Sequence, residues 1–241
     1  MQGKRVLVTG SSRGIGRAIA LRLANDGCRV ALHYVADKAS AEETASILGE
    51  ASAGVYQADL ADPAEVDPFW ATVLSEGPVH VLVNNAGIYK PEPFETMDPV
   101  ETMRVNLFSP MRLTQLAVHR FLSEGEPGKI LMVGSRVGFK GEAGASVYAA
   151  SKAALLNLVR SLAVEYADRH IGFFGIAPGW VETAMVRQGM EDRMNDILKT
   201  LPLGRMATPE DCAATVAFLL SDEAAYLSGQ TIDINGASYF H

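Results

Sequence analysis

Arg5-Val6-Leu7-Val8-Thr9-Gly10-Ser11-Ser12-Arg13-Gly14-Ile15-Gly16 is the stretch on which the reading of the whole chain turns. Its first five residues are short, apolar and rich in β-branched side chains, which predicts a buried strand. Helical periodicity begins at Ile15 and runs through Ala18, Ile19 and Leu23 to a stop at Gly27. Between them the glycines fall as Gly-x-x-x-Gly-x-Gly, one residue wider than the commonest dinucleotide fingerprint. Strand, glycine turn and helix together are the context such a loop requires. Glycines remove side chains where backbone must approach a pyrophosphate, and the helix N-terminus offers free N–H groups and a positive dipole end. A tight turn without a ligand would use the same glycines, but the flanking strand and helix favour a cofactor.

Outward from this stretch, strands and helices alternate along the chain. Further strands are expected at Arg29–Tyr34, Gly54–Leu60, Val79–Val83, Lys129–Ser135, Ile171–Ile176 and Thr231–Ile234, with helices between them. Asp62-Pro63-Ala64-Glu65, Asp98-Pro99-Val100-Glu101 and Thr208-Pro209-Glu210-Asp211 read as helix starts, with a capping residue followed by proline and an acid. The chain shows no composition break, linker or repeat. It is therefore expected to form a single doubly wound α/β domain over residues 1–241, with a central parallel sheet of about seven strands and helices on both faces. Ligands of such sheets bind at the carboxyl ends of the strands. Gly10, Asp59, Asn84, Ser135 and Pro178 each follow a predicted strand.

Composition narrows the function further. The 241 residues carry a net charge of −7, which argues against a general nucleic-acid or anionic-membrane binder. Cys28 and Cys212 stand far apart without CxxC spacing, so neither a disulfide framework nor a metal site is expected, and a reducing cytoplasm suits them. No apolar run reads as a membrane span and no signal peptide is apparent at the N-terminus.

The second strand ends in His33-Tyr34, where an acid would hydrogen-bond the adenosine ribose of NAD. Arg13 could instead pair with a 2′-phosphate, with Lys38 assisting, so NADPH is the expected cofactor. Asp37 keeps NADH as the alternative. Asp59, before Leu60, could accept from the adenine amino group or merely cap a turn. In Asn84-Asn85-Ala86-Gly87 the small residues let a cofactor lie close to the backbone, while the amides can tie neighbouring strands. Asn106, taken alone, reads as a buried amide satisfying backbone. Tyr148 and Lys152 are four residues apart and so share a helix face. By itself that pair is a spacing that chance supplies easily.

Taken together, Thr9-Gly10-Ser11-Ser12-Arg13-Gly14-Ile15-Gly16, Asn84-Asn85-Ala86-Gly87, Asn106, Ser135, Tyr148-x-x-x-Lys152 and Pro178-Gly179 resemble the short-chain dehydrogenase/reductase family over essentially the whole chain. The resemblance implies a Rossmann-type fold, nicotinamide-dependent carbonyl/alcohol chemistry and a homotetramer. It implies cofactor contacts from Gly10, Ser12, Arg13, Gly14, Ile15, Gly16, Asp59, Leu60, Asn85, Ala86, Gly87, Tyr148, Lys152, Pro178, Gly179, Val181 and Thr183, the last on the carboxamide. It also implies Asn106, Ser135, Tyr148 and Lys152 as the catalytic set, with Asn106 holding a water that links Lys152 to solvent. The chemistry can be argued independently. A phenol of pKa about 10 is a poor base at neutral pH, and an ammonium nearby would favour its ionised form. Ser135 would hydrogen-bond the substrate oxygen. No step requires a metal.

Within the family the glycine loop, Gly134-Ser135-Arg136-Val137-Gly138, Pro202-Leu203-Gly204-Arg205 and Ser228–Gly236 are most similar to 3-oxoacyl-acyl-carrier-protein reductases. That implies a 3-oxoacyl thioester substrate, delivered by an acidic carrier protein that Lys129 and Arg169 would meet at the site mouth. Glu124 and Glu126 depart from the basic character expected there. Other small ketones (sugar, cyclic or steroid) and a catalytically silent dinucleotide sensor are the alternatives. Trp180 would narrow the pocket, stack on a flat substrate or belong to the core. The polar, Met-rich 182–205 segment is expected to cover the substrate.

Overall fold

In the computed structural model, which describes residues 1–187 and 194–241, seven strands form one sheet in the order β3-β2-β1-β4-β5-β6-β7. They are β1 Arg5–Val8, β2 Arg29–Tyr34, β3 Ser52–Gln57, β4 Val81–Asn84, β5 Gly128–Val133, β6 Ile171–Pro178 and β7 Thr231–Ile234. All six pairings are parallel. The helices are α1 Gly14–Asn25, α2 Lys38–Leu48, α3 Pro63–Ser75, α4 Val100–Met103, α5 Ser109–Glu124, α6 Ser146–Glu165, α7 Ala184–Arg187, α8 Met194–Lys199 and α9 Pro209–Leu220.

Alternation along the strands sorts the core into two layers. In β1, Val6 and Val8 face one layer and Leu7 the other, and in β2 Val30 and Leu32 oppose Ala31 in the same way. The first layer takes Ile19 and Leu23 of α1 and Cys212, Val216 and Leu220 of α9. The second takes Phe69 and Trp70 of α3, Leu113 and Phe121 of α5, and Leu155 and Val159 of α6. With apolar helices on both faces, every central strand can be apolar throughout, as the sequence has it. Both cysteines are free and buried.

Strand order reverses between β1 and β4, so the connections leaving their carboxyl ends diverge and leave a crevice between the two. The sequence places its glycine loop after β1 and Asn85-Ala86-Gly87 after β4, one on each side of that crevice.

Two elements differ from their sequence expectation in ways that matter below. The helix expected from Pro99 is interrupted by a π-helical turn at Arg104–Phe108, with Asn106 at its centre. Pro110 supplies the reason: it has no N–H for the Asn106 carbonyl four residues back, and its ring crowds that turn. The helix α6 is 20 residues long with a mean hydropathy of 1.2 over its best 18-residue window, enough by length and composition to cross a membrane. Here it lies against the sheet, burying Leu155, Leu156 and Val159 along with Ser151 and Lys152. Of the 182–205 segment, residues 188–193 lie outside the described residues.

Candidate active site

The cofactor side is built by close approach of β1, β4 and α1. Gly10 and Gly14 take left-handed φ values of 62° and 58°, which a side chain would strain. A Cβ on Gly16 would lie 2.3 Å from the Gly10 carbonyl oxygen and 2.4 Å from Asn85 Nδ2, so α1 backs directly onto the loop. The Asn85 amide donates to the carbonyls of Thr9 and Gly10 at 2.8 and 3.0 Å, and Thr9 Oγ1 accepts from the N–H groups of both Asn85 and Ala86 at 3.0 Å. Thr9 thus pins the two strand ends together, a role that its place in the sequence motif does not reveal.

The N-termini of the helices differ in a telling way. Asp37, Asp62 and Thr208 cap α2, α3 and α9 with their side chains. The helix α1 starts at Arg13 with no side-chain cap and no acid in its first turn. Its free amides therefore suit an anionic group, and the glycine cradle and this bare helix end fit a dinucleotide pyrophosphate. Ser12 is buried, and its carbonyl accepts from Thr44 Oγ1. Ile15 packs partly into the core below. Thr183 comes within 3.5 Å of where a Gly14 Cβ would stand, which brings the β6 connection to the same loop. There Gly179 donates to the Ile234 carbonyl at 2.9 Å, and Val181, buried, bridges to Ala207. Pro178 closes β6.

At the adenosine end His33 is fully buried. Its Nδ1 accepts from the Gly10 N–H at 2.9 Å, and Nε2 then donates to the Ala58 carbonyl at 3.0 Å. Burial pulls its pKa down to about 4, so the ring is neutral and serves as a strut between the glycine loop and the residue after β3. Asp37 accepts from Ser40 N–H at 3.0 Å as the cap of α2, and that bond holds its carboxyl below the usual range. Arg17 and Lys38 pair with Glu43 and Glu42. Arg13 is exposed and, among the described residues, forms no ion pair. Asp59 accepts from the Ala61 N–H, and Leu60 is buried with its carbonyl bonded to Ser109 Oγ.

On the other side of the crevice, α6 carries Tyr148 and Lys152 towards the ends of β4 and β5. Lys152 is buried, and its Nζ donates to the Val133 carbonyl at 2.8 Å. A Cβ on Gly87 would lie 3.3 Å from both Lys152 Nζ and Asn106 Oδ1, so only glycine leaves these groups their space. The Asn106 amide is fully engaged: Oδ1 accepts from Ile88 N–H, and Nδ2 donates to the Ile88 carbonyl and to Ser151 Oγ. Its side chain is therefore the buried group satisfying backbone. Pro110 removes the donor that an α-helix would offer the Asn106 carbonyl.

The electrostatics correct one expectation. Lys152 does not depress the Tyr148 phenol. Burial pushes that pKa up to about 12, with bonding to Ser135 pulling the other way and Tyr89 and Glu142 raising it. The ammonium sits 5.7 Å from the phenol ring centre and is turned to Val133, and burial lowers its own pKa to about 8. Tyr148 is thus held as an acid. Tyr89 meets the Tyr148 ring edge-on at 5.0 Å and bonds Glu142 at 3.3 Å, and neither residue was singled out from sequence. Ser135 ends the β5 connection, its Oγ accepting from Val137 N–H at 3.4 Å.

The carrier-docking residues fall elsewhere. Lys129 and Arg169 precede or open β5 and β6, at the end of the sheet opposite Ser135, and Lys129 Nζ is bonded to the Leu220 and Ser221 carbonyls and Asp222. Within one chain they do not flank the site mouth. Glu124 and Glu126 both pair with the buried Arg120.

Three kinds of likeness accompany this geometry. A family model described as Enoyl-(Acyl carrier protein) reductase matches residues 10–237. The chain is 40% identical to the 3-oxoacyl-[acyl-carrier-protein] reductase FabG of Escherichia coli (strain K12), covering 99% of this chain and 98% of that one. Its identity to FabG of Staphylococcus aureus (strain Mu50) is 39%, covering 98% of each. Among solved structures, a protein assigned as an NAD(P)-dependent gluconate 5-dehydrogenase from Beutenbergia cavernae, with bound NADP, superposes with a TM-score of 0.91 at 34% identity, covering 99% and 97% of the two chains. A blue fluorescent protein from a metagenomic library, in complex with NADPH, does so at 0.90 and 36%, covering 98% of each.

Proposed function

The chain belongs to the short-chain dehydrogenase/reductase family and is an NAD(P)-dependent oxidoreductase of the CH–OH/C=O pair, and on that footing we propose that it uses NADPH to reduce the 3-oxo group of an acyl thioester. The observation that carries this reading is the convergence of Ser135, Tyr148 and Lys152 on the glycine-lined crevice between β1 and β4. The Tyr148 phenol, like any phenol, keeps its proton at neutral pH and can give it to a developing alkoxide. The nicotinamide, when bound, supplies the hydride to the carbonyl carbon. Ser135 holds the carbonyl oxygen against Tyr148, and Lys152, still largely protonated at neutral pH, restores the phenol's proton. The Asn106 carbonyl holds the water through which Lys152 is reprotonated.

NADPH is favoured by three features: the buried His33 in place of an acid at the end of β2, the commitment of Asp37 to capping α2, and an exposed Arg13 that forms no ion pair among the described residues. The two neighbours solved with NADP and NADPH bound point the same way. Gly10, Ser12, Gly14, Ile15 and Gly16 take the pyrophosphate side. Asp59 and Leu60 take the adenine. Asn85, Ala86, Gly87, Pro178, Gly179, Val181 and Thr183 take the nicotinamide half. The FabG relatives support the acyl thioester, with an acyl carrier protein as its donor. A homotetramer in the cytoplasm belongs to the same reading, as the family resemblance implies. In this reading one catalytic domain spans the chain, and the described residues of the 182–205 segment cover the substrate; Ile197 and Leu201 pack with Tyr89 and Trp180.

A ketone panel run with NADPH and NADH tests this. Acetoacetyl thioesters should be the fastest substrates, and Tyr148→Phe should lower kcat by about a thousandfold or more while NADPH binding stays within about threefold. Activity confined to sugars or cyclic ketones would overturn the thioester. Tight NADPH binding with no ketone reduced would overturn the enzyme reading itself.

A further inference from the structure

Beside the catalytic tyrosine a cavity of about 340 Å³ is lined by Arg136, Lys140, Glu142, Trp180, Ile197 and Ser238, among others. Arg136 directly follows Ser135. Its side chain is nine-tenths buried, and its guanidinium carbon lies over the Trp180 ring, 4.8 Å from the centroid. A guanidinium carries five N–H donors, yet among the described residues none of them makes a hydrogen bond. Its one ion pair among the described residues is with Glu142 Oε2 at 3.8 Å, too long for a hydrogen bond, while Glu142 Oε1 accepts from Tyr89. Burial works against the Arg136 charge and Glu142 supports it. Ser238 Oγ, on the same cavity, is buried without a partner. A buried cation held only by an acid at that distance keeps its N–H donors open to an acceptor that arrives.

The charges facing it do not account for that idleness. Asp196 is committed to Lys199 at 2.9 Å, and Lys140 lies over the Tyr239 ring. Successive contacts lead from Tyr148 through Tyr89 to Glu142, Arg136 and Trp180, and the last three line the cavity. Arg136 is thus the charged group that follows the substrate-binding Ser135 into this cavity.

We propose that Arg136 is the specificity-determining residue of this site, donating its idle N–H pair to an sp² oxygen on the carbon two positions from the reacting ketone, so that the enzyme selects 1,3-dicarbonyl substrates. The inference rests on the thioester reading above, in which that oxygen is the thioester carbonyl. A free 3-oxo acid would present the same acceptor as a carboxylate. Planar oxygen acceptors suit the fork of a guanidinium far better than an ammonium, and the Trp180 ring packs against that fork.

The test compares three ketones in the wild type, Arg136→Met and Arg136→Lys: the acetoacetyl thioester of N-acetylcysteamine, acetoacetate, and a mono-ketone without a second oxygen. Arg136→Met should lower kcat/KM for the thioester about ten- to a hundredfold beyond any loss on the mono-ketone, the range expected for a charge-assisted hydrogen bond. Arg136→Lys, which keeps the charge and loses the fork, should fall between, and it serves if the methionine variant does not fold. A larger loss on acetoacetate than on the thioester would assign the acceptor to a carboxylate. Equal losses on dicarbonyl and mono-ketone in both variants, or losses under about threefold on every substrate, would overturn the role of Arg136. A wild type that reduces acetoacetate but no thioester would overturn the thioester reading alone, with Arg136 still tested on the acid.

Discussion

Lowering the pH should unfold this protein through His33, and the size of the effect follows from its surroundings. Both ring nitrogens are used in the neutral form: Nδ1 accepts from Gly10 and Nε2 donates to Ala58. A second proton would set a donor against the Gly10 N–H and bury a charge beside Phe69, whose ring lies 4.9 Å away. Burial accordingly holds the folded-state pKa near about 4, against the usual 6.5. Between those values the unfolded chain binds a proton that the folded chain does not. Stability is therefore full above about pH 6.5 and falls as pH drops, by about 1.4 kcal/mol per unit, reaching about 3 kcal/mol near pH 4. The assay is urea unfolding from neutral pH down to about pH 4.5, comparing the wild type with His33→Asn. The variant starts less stable but lacks this titration, so its stability should fall with acid by about 2–3 kcal/mol less than that of the wild type. His80 and every surface carboxylate are common to both proteins and cancel in the comparison. Parallel slopes would refute the argument, because they would mean that His33 is not the buried neutral strut its hydrogen bonds describe.

Three further outcomes follow from the site. Arg13→Ala should weaken NADPH binding about tenfold more than NADH binding, measured by titration of each cofactor; equal losses would exclude a 2′-phosphate contact. NADPH-driven reduction should decline as pH rises through about 8, where Lys152 loses the proton it returns to Tyr148, and a profile flat to about pH 9.5 would contradict that role. Gly16→Ala places a methyl 2.3 Å from the Gly10 oxygen and 2.4 Å from Asn85 Nδ2, so thermal unfolding should register a loss of about 1–3 kcal/mol together with weaker NADPH binding. An unchanged melting temperature and cofactor affinity would show that the loop relaxes at no cost.

Lys129, Arg169 and Arg136 show how far charge can be read without a fold. The first two are basic, and the resemblance to carrier-protein reductases made them candidates for the site mouth. A strand has two ends, however, and β5 and β6 put these residues at the far one. Arg136 drew no attention in sequence because a basic residue in a loop is ordinarily solvated. Its meaning comes from burial against Trp180, 44 residues later, and from N–H donors that make no hydrogen bond among the described residues, with only the Glu142 carboxylate near at 3.8 Å. Asn106 lies between these cases. A proline four positions after an asparagine is a visible signal that the helix carbonyl there is released, and Pro110 realises it as a π turn.

From Arg5 to Gly16 the sequence by itself determined a strand, a glycine turn and a helix, because backbone conformation there depends on neighbours within a few residues. Repetition of that local pattern determined a parallel sheet with functional residues at its strand ends. Tertiary structure alone decided the surroundings of the pair. The sequence puts Tyr148 and Lys152 on one helix face, whereas the fold bonds the Lys152 ammonium to the Val133 carbonyl and sets Tyr89 and Glu142 near the phenol, where they and burial raise its pKa. Spacing along a helix specifies which groups share a face. Their pKa values depend on solvent exclusion and on charges brought in from distant parts of the chain, which only the folded arrangement supplies.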